Sequence, residues 1–449
     1  MLRILLTTIF VFYQLISFCQ ISSDSLKSAK DEYNLDFEKL IPNTKFASKW
    51  FSINNSKGVS IITDTTEKHG GQHSLLIENL NNDGPAKYTQ SGIFIPSKYE
   101  GREVEIRLYA KLKDVAHHVD FAIRIDDEDY DMLQYKNSLK TRISGNVDWQ
   151  QYSLTLPLNH DVRRICFWPT LYGSGKLWID DVQILIDGVD ISQAKIKPDY
   201  NPNTPQPINY GGNTAAAGRV KVKDAELYYE TYGKGEPLLL LHGNSQSISV
   251  FKKQIKAFSK IYKVIAVDTR GQGKSTDSST QPLSYDLYAE DMKTLLDSLH
   301  ISKTNILGWS DGGNTGLIMA AKYPTYIKKL AVTGACTNPN EAVSTSTLEE
   351  VSKAIESLKT RQDVKSKYQV RLFTMLLTEP HITAFDLKKI KAPVLVMAGE
   401  RDMILEKHTK FIAANISKSQ LFIFKGASHY VPVEMVSEFN NKVLLFLDK

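Results

Sequence analysis

The chain has 449 residues, 42% of them hydrophobic and 23% charged, with a formal net charge of +5. That length exceeds one ordinary domain, at about 100–200 residues each, and the composition is that of packed globular domains rather than of a disordered or fibrous chain. The positive excess is small and contains no long Lys/Arg run, so it gives no ground for nucleic-acid binding.

In chain order, the first signal is Arg3 followed by the mostly apolar residues 4–18, with Ser17 and Cys19 placed as small residues before Gln20. This is the pattern of a secretory signal peptide over residues 1–19. The run is shorter than the ~20 residues that a membrane helix needs. A periplasmic or secreted protein is expected. The rival is a lipoprotein anchored at Cys19, against which Phe18 stands where a small residue is wanted. Cys166 and Cys336 then remain, in different predicted domains, which argues against a disulfide framework. Both read as buried, inert thiols.

Residues 30–190 read as nearly all strand. Runs at 59–64, 74–80, 103–112, 118–125, 151–156 and 177–186 are β-branched or alternating, with turn residues between them. Such spacing predicts a sandwich or barrel. Residues 191–217 hold Pro198, Pro202, Pro205, Pro207, Gly211-Gly212 and three successive alanines, and read as an interdomain linker. From 218 to 449 the rhythm changes. Apolar runs at 237–241, 263–267, 305–307, 329–333, 394–398 and 421–424 alternate with helix-length segments. That alternation predicts a mostly parallel sheet, and the unbroken apolar runs predict strands covered on both faces.

Gly308-Trp309-Ser310-Asp311-Gly312 matches G-x-S-x-G, with a strand before it and a helical stretch after it. In that context the serine occupies a sharp strand-to-helix turn, the nucleophile elbow. A serine hydroxyl needs a base, and the chain order in this arrangement is Ser, acid, His. Asp402 follows the strand at 394–398, with Glu400 as the reserve acid. His429 follows the strand at 421–424. Three loops after three strands place Ser310, Asp402 and His429 at the carboxyl ends of the sheet, where open α/β sheets gather their sites. The oxyanion requires two backbone N–H donors. Asp311 is the first candidate and Asn244, in His242-Gly243-Asn244, the second. Trp309 is a candidate substrate contact, and His242 is read as holding its loop. His381 and His408 receive no role. Residues 268–273 (Asp-Thr-Arg-Gly-Gln-Gly) lack a dinucleotide context and read as a structural turn. No metal-ligand spacing is present, and no cofactor is implied in catalysis.

Residues 218–449 resemble the α/β-hydrolase superfamily throughout. The run from Leu307 to Gly313, continuing through Ala320-Ala321-Lys322-Tyr323-Pro324, looks most like the valacyclovir hydrolase (biphenyl hydrolase-like) family. That resemblance implies a triad of Ser310, Asp402 and His429, and a role for Asp311 in binding the α-amino group of amino-acid esters. The His-Gly-Asn stretch is also similar to haloalkane dehalogenases. Their nucleophile is an Asp where this chain has Ser310, which disfavours dehalogenation. Residues 336–391 would form a short helical cap, and caps set substrate choice.

Asn34-Leu35-Asp36-Phe37-Glu38, residues 69–75, Asp148-Trp149 and residues 177–182 resemble galactose-binding-like jelly-roll sandwiches appended to secreted enzymes. The resemblance implies a structural Ca²⁺, with Glu38 and Asp181 as candidate ligands. It also raises glycan binding by Trp168, Tyr172, Tyr130 and Tyr135, although core or loop aromatics are the blander reading.

The expected protein is therefore multidomain: an all-β jelly-roll sandwich followed by an α/β-hydrolase domain with a short cap. The expected reaction is hydrolysis of a small-molecule carboxylic ester. Rival readings are a carbohydrate esterase, a lactonase or C–C hydrolase, and a binding protein with an inactive hydrolase fold.

Overall fold

The computed structural model describes residues 32–54, 58–81, 84–138, 142–158 and 162–448. The signal-peptide and Cys19 readings lie outside these residues. The chain divides into two compact units, Met1–Pro207 and Ile208–Lys449.

The first unit is built from antiparallel strands β1 (Phe51–Asn54), β2 (Val59–Asp64), β3 (Ser74–Asn79), β4 (Tyr88–Pro96), β5 (Glu103–Asp126), β6 (Met132–Asn137), β7 (Ile143–Pro157), β8 (Arg164–Tyr172), β9 (Gly175–Ile186) and β10 (Val189–Asp190). The order along the sheet is β1-β4-β8-β5-β9-β3-β2. Its organising element is the 24-residue β5. The first half of β5 pairs with β7 and β9, and the second half with β8 and β6. Pairing with β7 slips between Ala110 and Val119, where the strand changes partners. Such irregularities bend a strand, and one strand can thereby serve two flanks of a barrel-like sheet. Val104, Ile106, Leu108, Ala110 and Leu112 alternate inward, at the period-2 spacing of a strand, and are buried. Val119, Phe121, Ile123 and Ile125 continue the same core from the second half.

The second unit contains β11 (Ala217–Val222), β12 (Ala225–Tyr232), β13 (Pro237–Leu241), α1 (Lys252–Phe258), β14 (Lys263–Val267), β15 (Thr276–Asp277), α2 (Tyr285–Ser298), β16 (Thr304–Trp309), α3 (Asp311–Lys322) and β17 (Ile327–Thr333). After these come α4 (Pro339–Ala342), α5 (Thr345–Lys359), α6 (Val364–Thr378), α7 (Ala384–Lys389), β18 (Val394–Gly399), α8 (Glu406–Ala414), β19 (Ser419–Phe424), α9 (Val431–Glu434) and α10 (Val436–Asp448). The sheet order is β11-β12-β14-β13-β16-β17-β18-β19. The hairpin β11–β12 joins antiparallel to β14, and every later pair is parallel. Leu239 and Leu241 pack in one apolar cluster and Leu238 and Leu240 in another, all 0% exposed. The central strand is thus covered on both faces, as its unbroken leucines require.

The segment read as a linker, 191–217, is shared between the units. Ile191 is buried in the core of the first, and Arg163 there donates to the Thr204 carbonyl. In the second, the buried Glu230 accepts from the N–H groups of Gly211 and Asn213 and from the hydroxyls of Tyr228 and Tyr232. A charge 0% exposed is tolerable because four donors satisfy it.

The segment between β17 and β18 carries α4 to α7. Helix α6 is fastened to the sheet domain by Tyr368, whose hydroxyl donates to the Arg270 carbonyl at 2.5 Å. Arg371 adds bonds to Asp277 and to the carbonyls of Ser279 and Gln281. The turn at 268–273 is structural, as expected. Arg270, 1% exposed, pairs with Asp291 at 2.6 Å, and Asp268 accepts from the N–H groups of Ile248 and Lys274.

Candidate active site

Ser310 lies between the last residue of β16 and the first of α3, with φ 54° and ψ −116°. Positive φ is uncommon for a residue with a side chain, and such strain persists only when the surroundings impose it. They do so here. A Cβ on Gly308 would sit 2.2 Å from the Gly312 carbonyl oxygen, and one on Gly312 would sit 2.0 Å from that of Leu241. Only glycine lets the turn close against β13. The Ser310 N–H donates to the Thr333 carbonyl at 2.9 Å, and its carbonyl accepts from Asn314 at 3.0 Å.

The loops after β18 and β19 meet beside this turn. His429 Nδ1 is 2.7 Å from Asp402 Oδ1, which also accepts from the Ile404 N–H at 2.9 Å. The loops are bound together by the Arg401 N–H on the Ala427 carbonyl and by Glu400, which accepts from the Gly426 N–H at 2.8 Å. Glu400, the reserve acid, is exposed and braces the histidine loop without touching the imidazole. Ser428 gives both its N–H and its hydroxyl to Glu434. Among the described residues no hydrogen bond joins Ser310 Oγ to His429; in ligand-free sites such contacts often tighten only around substrate.

Trp309 departs from its expected role. It is 0% exposed, and its indole N–H donates to the His429 carbonyl at 3.0 Å. It cannot line a substrate site; it ties the serine turn to the histidine loop. Gly334 is a participant that sequence reading did not identify. Its φ is +61°, and a Cβ there would lie 2.5 Å from His429 Cε1, so the absent side chain makes room for the imidazole.

The backbone N–H groups of Asp311 and Asn244 are shown with no acceptor among the described residues. The first turn of a helix leaves its N–H groups without intrahelical partners, which accounts for Asp311. Around Asn244 the neighbours are spoken for. Gly243 N–H donates to Gln246 Oε1 at 2.8 Å and Ser245 N–H to Gln272 Oε1 at 2.6 Å. The Asp311 carboxylate is 2% exposed and accepts from the Tyr285 hydroxyl at 2.7 Å and from Asn244 Nδ2 at 3.0 Å. Burial pushes its carboxyl up to about 6, against the pull of those two donors and of His429.

His242 holds its loop. The Thr269 N–H donates to Nε2 at 3.0 Å, so the proton is on Nδ1, which donates to the Gly243 carbonyl at 2.8 Å. Burial lowers its pKa to about 4. The unfolded chain therefore takes up a proton below about pH 6.5 that the folded chain refuses. The stability that His242 contributes is complete above that pH and is lost as pH falls toward 4, by about 3 kcal/mol. Unfolding midpoints between pH 7 and 4 should show the gap between wild type and His242→Gln narrowing as the solution is acidified. A gap constant with pH would contradict the buried neutral imidazole.

His381 is exposed, and His408 is buried with Nε2 accepting from the Thr337 N–H. In the first unit, Glu38 accepts from the N–H groups of Gln72 and His73 and pairs with His73 Nδ1 at 2.9 Å. Asp181 pairs with His69 Nδ1 at 2.8 Å. Both carboxylates thus engage the segment 69–73 between β2 and β3, and among the described residues no group of three or more His, Cys, Asp or Glu could hold a metal. Of the aromatics named for glycan binding, Trp168 and Tyr135 face each other at 6.2 Å, and Tyr172 stacks on His118 at 4.4 Å.

A family model described as the alpha/beta hydrolase fold matches residues 236–355. Human serine hydrolase BPHL is 29% identical over 275 residues, covering 57% of this chain and 94% of that protein. The 2-hydroxy-6-oxononadienedioate/2-hydroxy-6-oxononatrienedioate hydrolase of Escherichia coli is 26% identical over 287 residues, covering 55% of this chain and 98% of that protein. The solved structure of a hydrolase from Pseudomonas aeruginosa is 22% identical, covers 53% of this chain and all of the other, and has a TM-score of 0.45. The second unit carries the α/β-hydrolase fold.

Proposed function

We propose that the second unit is a serine hydrolase that cleaves carboxylic esters through an acyl-enzyme on Ser310. The observation that carries the proposal is the Asp402–His429 hydrogen bond beside a strained serine turn. Asp402 accepts the Nδ1 proton and so leaves Nε2 bare to act as base. His429 takes the proton of Ser310 Oγ as that oxygen attacks the ester carbonyl. The tetrahedral oxyanion is received by the N–H groups of Asp311 and Asn244. Collapse breaks the bond to the leaving alcohol, which takes the proton from His429. Water, deprotonated by His429, then attacks the acyl-enzyme and releases the acid and free Ser310. No step calls for a cofactor.

The similarity to the Escherichia coli hydrolase favours a second reading, cleavage of a C–C bond next to a ketone by the same groups. The two are separated by a substrate panel: p-nitrophenyl esters of increasing chain length, amino-acid esters, lactones and a 2-hydroxy-6-oxo dienoate. Fastest turnover of an ester supports the first reading, and fastest turnover of the dienoate replaces it with the second. Residues 1–19 support export of the protein. The strand-rich first unit supports a jelly-roll module that brings the hydrolase to a glycan, testable on a glycan array with the full chain.

A further inference from the structure

Asn244 and Asp311, the two residues assigned to the oxyanion in the proposed reaction, are bonded to each other through their side chains. Asn244 Nδ2 donates to Asp311 Oδ2 at 3.0 Å. Each is anchored again. Asp311 Oδ1 accepts from the Tyr285 hydroxyl at 2.7 Å, and Asn244 Oδ1 accepts from the Ser245 hydroxyl at 2.9 Å. Tyr285 is itself held, being 1% exposed and just after Ser284, which caps α2. The Asp311 backbone is pinned separately, its carbonyl accepting from the Thr315 hydroxyl at 2.8 Å. Close packing of Gly312 on the Leu241 carbonyl fixes how near α3 lies to the loop that carries Asn244.

A carboxylate is costly to bury and is tolerated when it is fully hydrogen-bonded. Both Asp311 oxygens are engaged by protein donors, and the residue is 2% exposed. Each oxygen keeps a second lone pair, but at this burial a substrate ammonium could reach it only by displacing the side chains that cover it. We propose that Asp311 is a positioning residue: through Asn244 it holds the two oxyanion N–H groups in fixed register, and it is not the ligand of a substrate amino group. This rests on the esterase reading of Ser310. Donors placed before the reaction need no reorganisation as charge develops, and misplacement by about 1 Å can cost 10²-fold in rate. The effect should therefore fall on kcat.

The test is an exchange of partners in the full-length protein, assayed on an amino-acid ester and its des-amino analogue. Asn244→Asp alone sets two carboxylates against each other, whereas Asp311→Asn alone removes the charge and leaves two amides that can still pair, since either can turn its oxygen to the other. The double exchange N244D/D311N restores every bond with the roles reversed. The amide placed at position 311 accepts from the Tyr285 hydroxyl through its oxygen and donates through its nitrogen to the carboxylate placed at position 244. That carboxylate still accepts from the Ser245 hydroxyl. We expect N244D to lower kcat on the order of 10²-fold on both esters, with KM nearly unchanged, and the double exchange to recover most of that loss. Thermal unfolding checks that each variant is folded. If the single variants do not fold, Tyr285→Phe, which removes one hydroxyl, should still lower kcat on both esters. A double variant that folds but is no faster than N244D overturns the proposal. So does D311N raising KM on the amino-acid ester alone, which would make Asp311 an ammonium ligand. A wild type inactive on every ester overturns the esterase reading and this proposal with it. An active wild type with unaltered variants overturns only this proposal.

Discussion

Replacing Ser310 with alanine is expected to lower kcat for the best ester on the order of 10⁶-fold. The proposed route forms its covalent intermediate on the Ser310 hydroxyl and nowhere else, so nothing in the site can take over. What remains should be the small rate supplied by binding and the oxyanion donors. His429→Ala should lose nearly as much, and the double variant little more, because the two residues act as one unit. The fold should survive. Among the described residues the Ser310 hydroxyl has no hydrogen-bond partner, and the tension of the turn comes from backbone packing against Leu241 and Thr333. Steady-state kinetics with thermal unfolding of each variant checks this. Turnover by Ser310→Ala within tenfold of wild type would remove the serine from the mechanism.

Asp402→Asn is the second large effect, about a 10⁴-fold fall in kcat with KM little changed. One oxygen of Asp402, Oδ1, serves both His429 Nδ1 and the Ile404 N–H, at 2.7 and 2.9 Å. Asparagine keeps the shape but not the charge. With its amide nitrogen in that place, a donor faces His429 Nδ1, and the imidazole must carry its proton on Nε2 and can no longer accept one from Ser310. With its oxygen there, the imidazolium loses the charge that stabilises it. Proton-detected NMR of the imidazole in the variant would report which of the two holds. A variant with full activity would show that Asp402 does not set the state of His429, and Glu400, already engaged by Gly426, is poorly placed to replace it.

The three groups proposed to act in catalysis were legible because each follows the carboxyl end of an apolar strand. That position is written in the sequence as a run of Val, Leu or Phe and then a short polar loop. Groups that arrive by tertiary packing left no such mark. Tyr285 opens a helix 26 residues before Asp311, and Gln272 reaches the Ser245 N–H from another loop. Gly334 looks like any turn glycine until the imidazole is seen against it. Trp309 was readable in principle. It is two residues from Leu307 on one strand, so both face the same core.

In the first unit, β8 was missed because RICFWPTLY is buried along almost its whole length and shows no alternation. Pro169 within it also argues against a strand. The stretches 103–112 and 118–125 read as two strands because the polar residues between them suggested a turn; they are one strand with bulges. The hairpin β11–β12 fell at the edge of the Pro- and Gly-rich segment. Its outer strand alternates only between exposed and half-buried positions, too weakly to declare itself.

The most direct test of the serine assignment is to treat the full-length protein with a fluorophosphonate and locate the adduct by peptide mass spectrometry. A single adduct on Ser310, absent from Ser310→Ala, is the expected result. No adduct on the folded wild type, or equal labelling of the alanine variant, would contradict it.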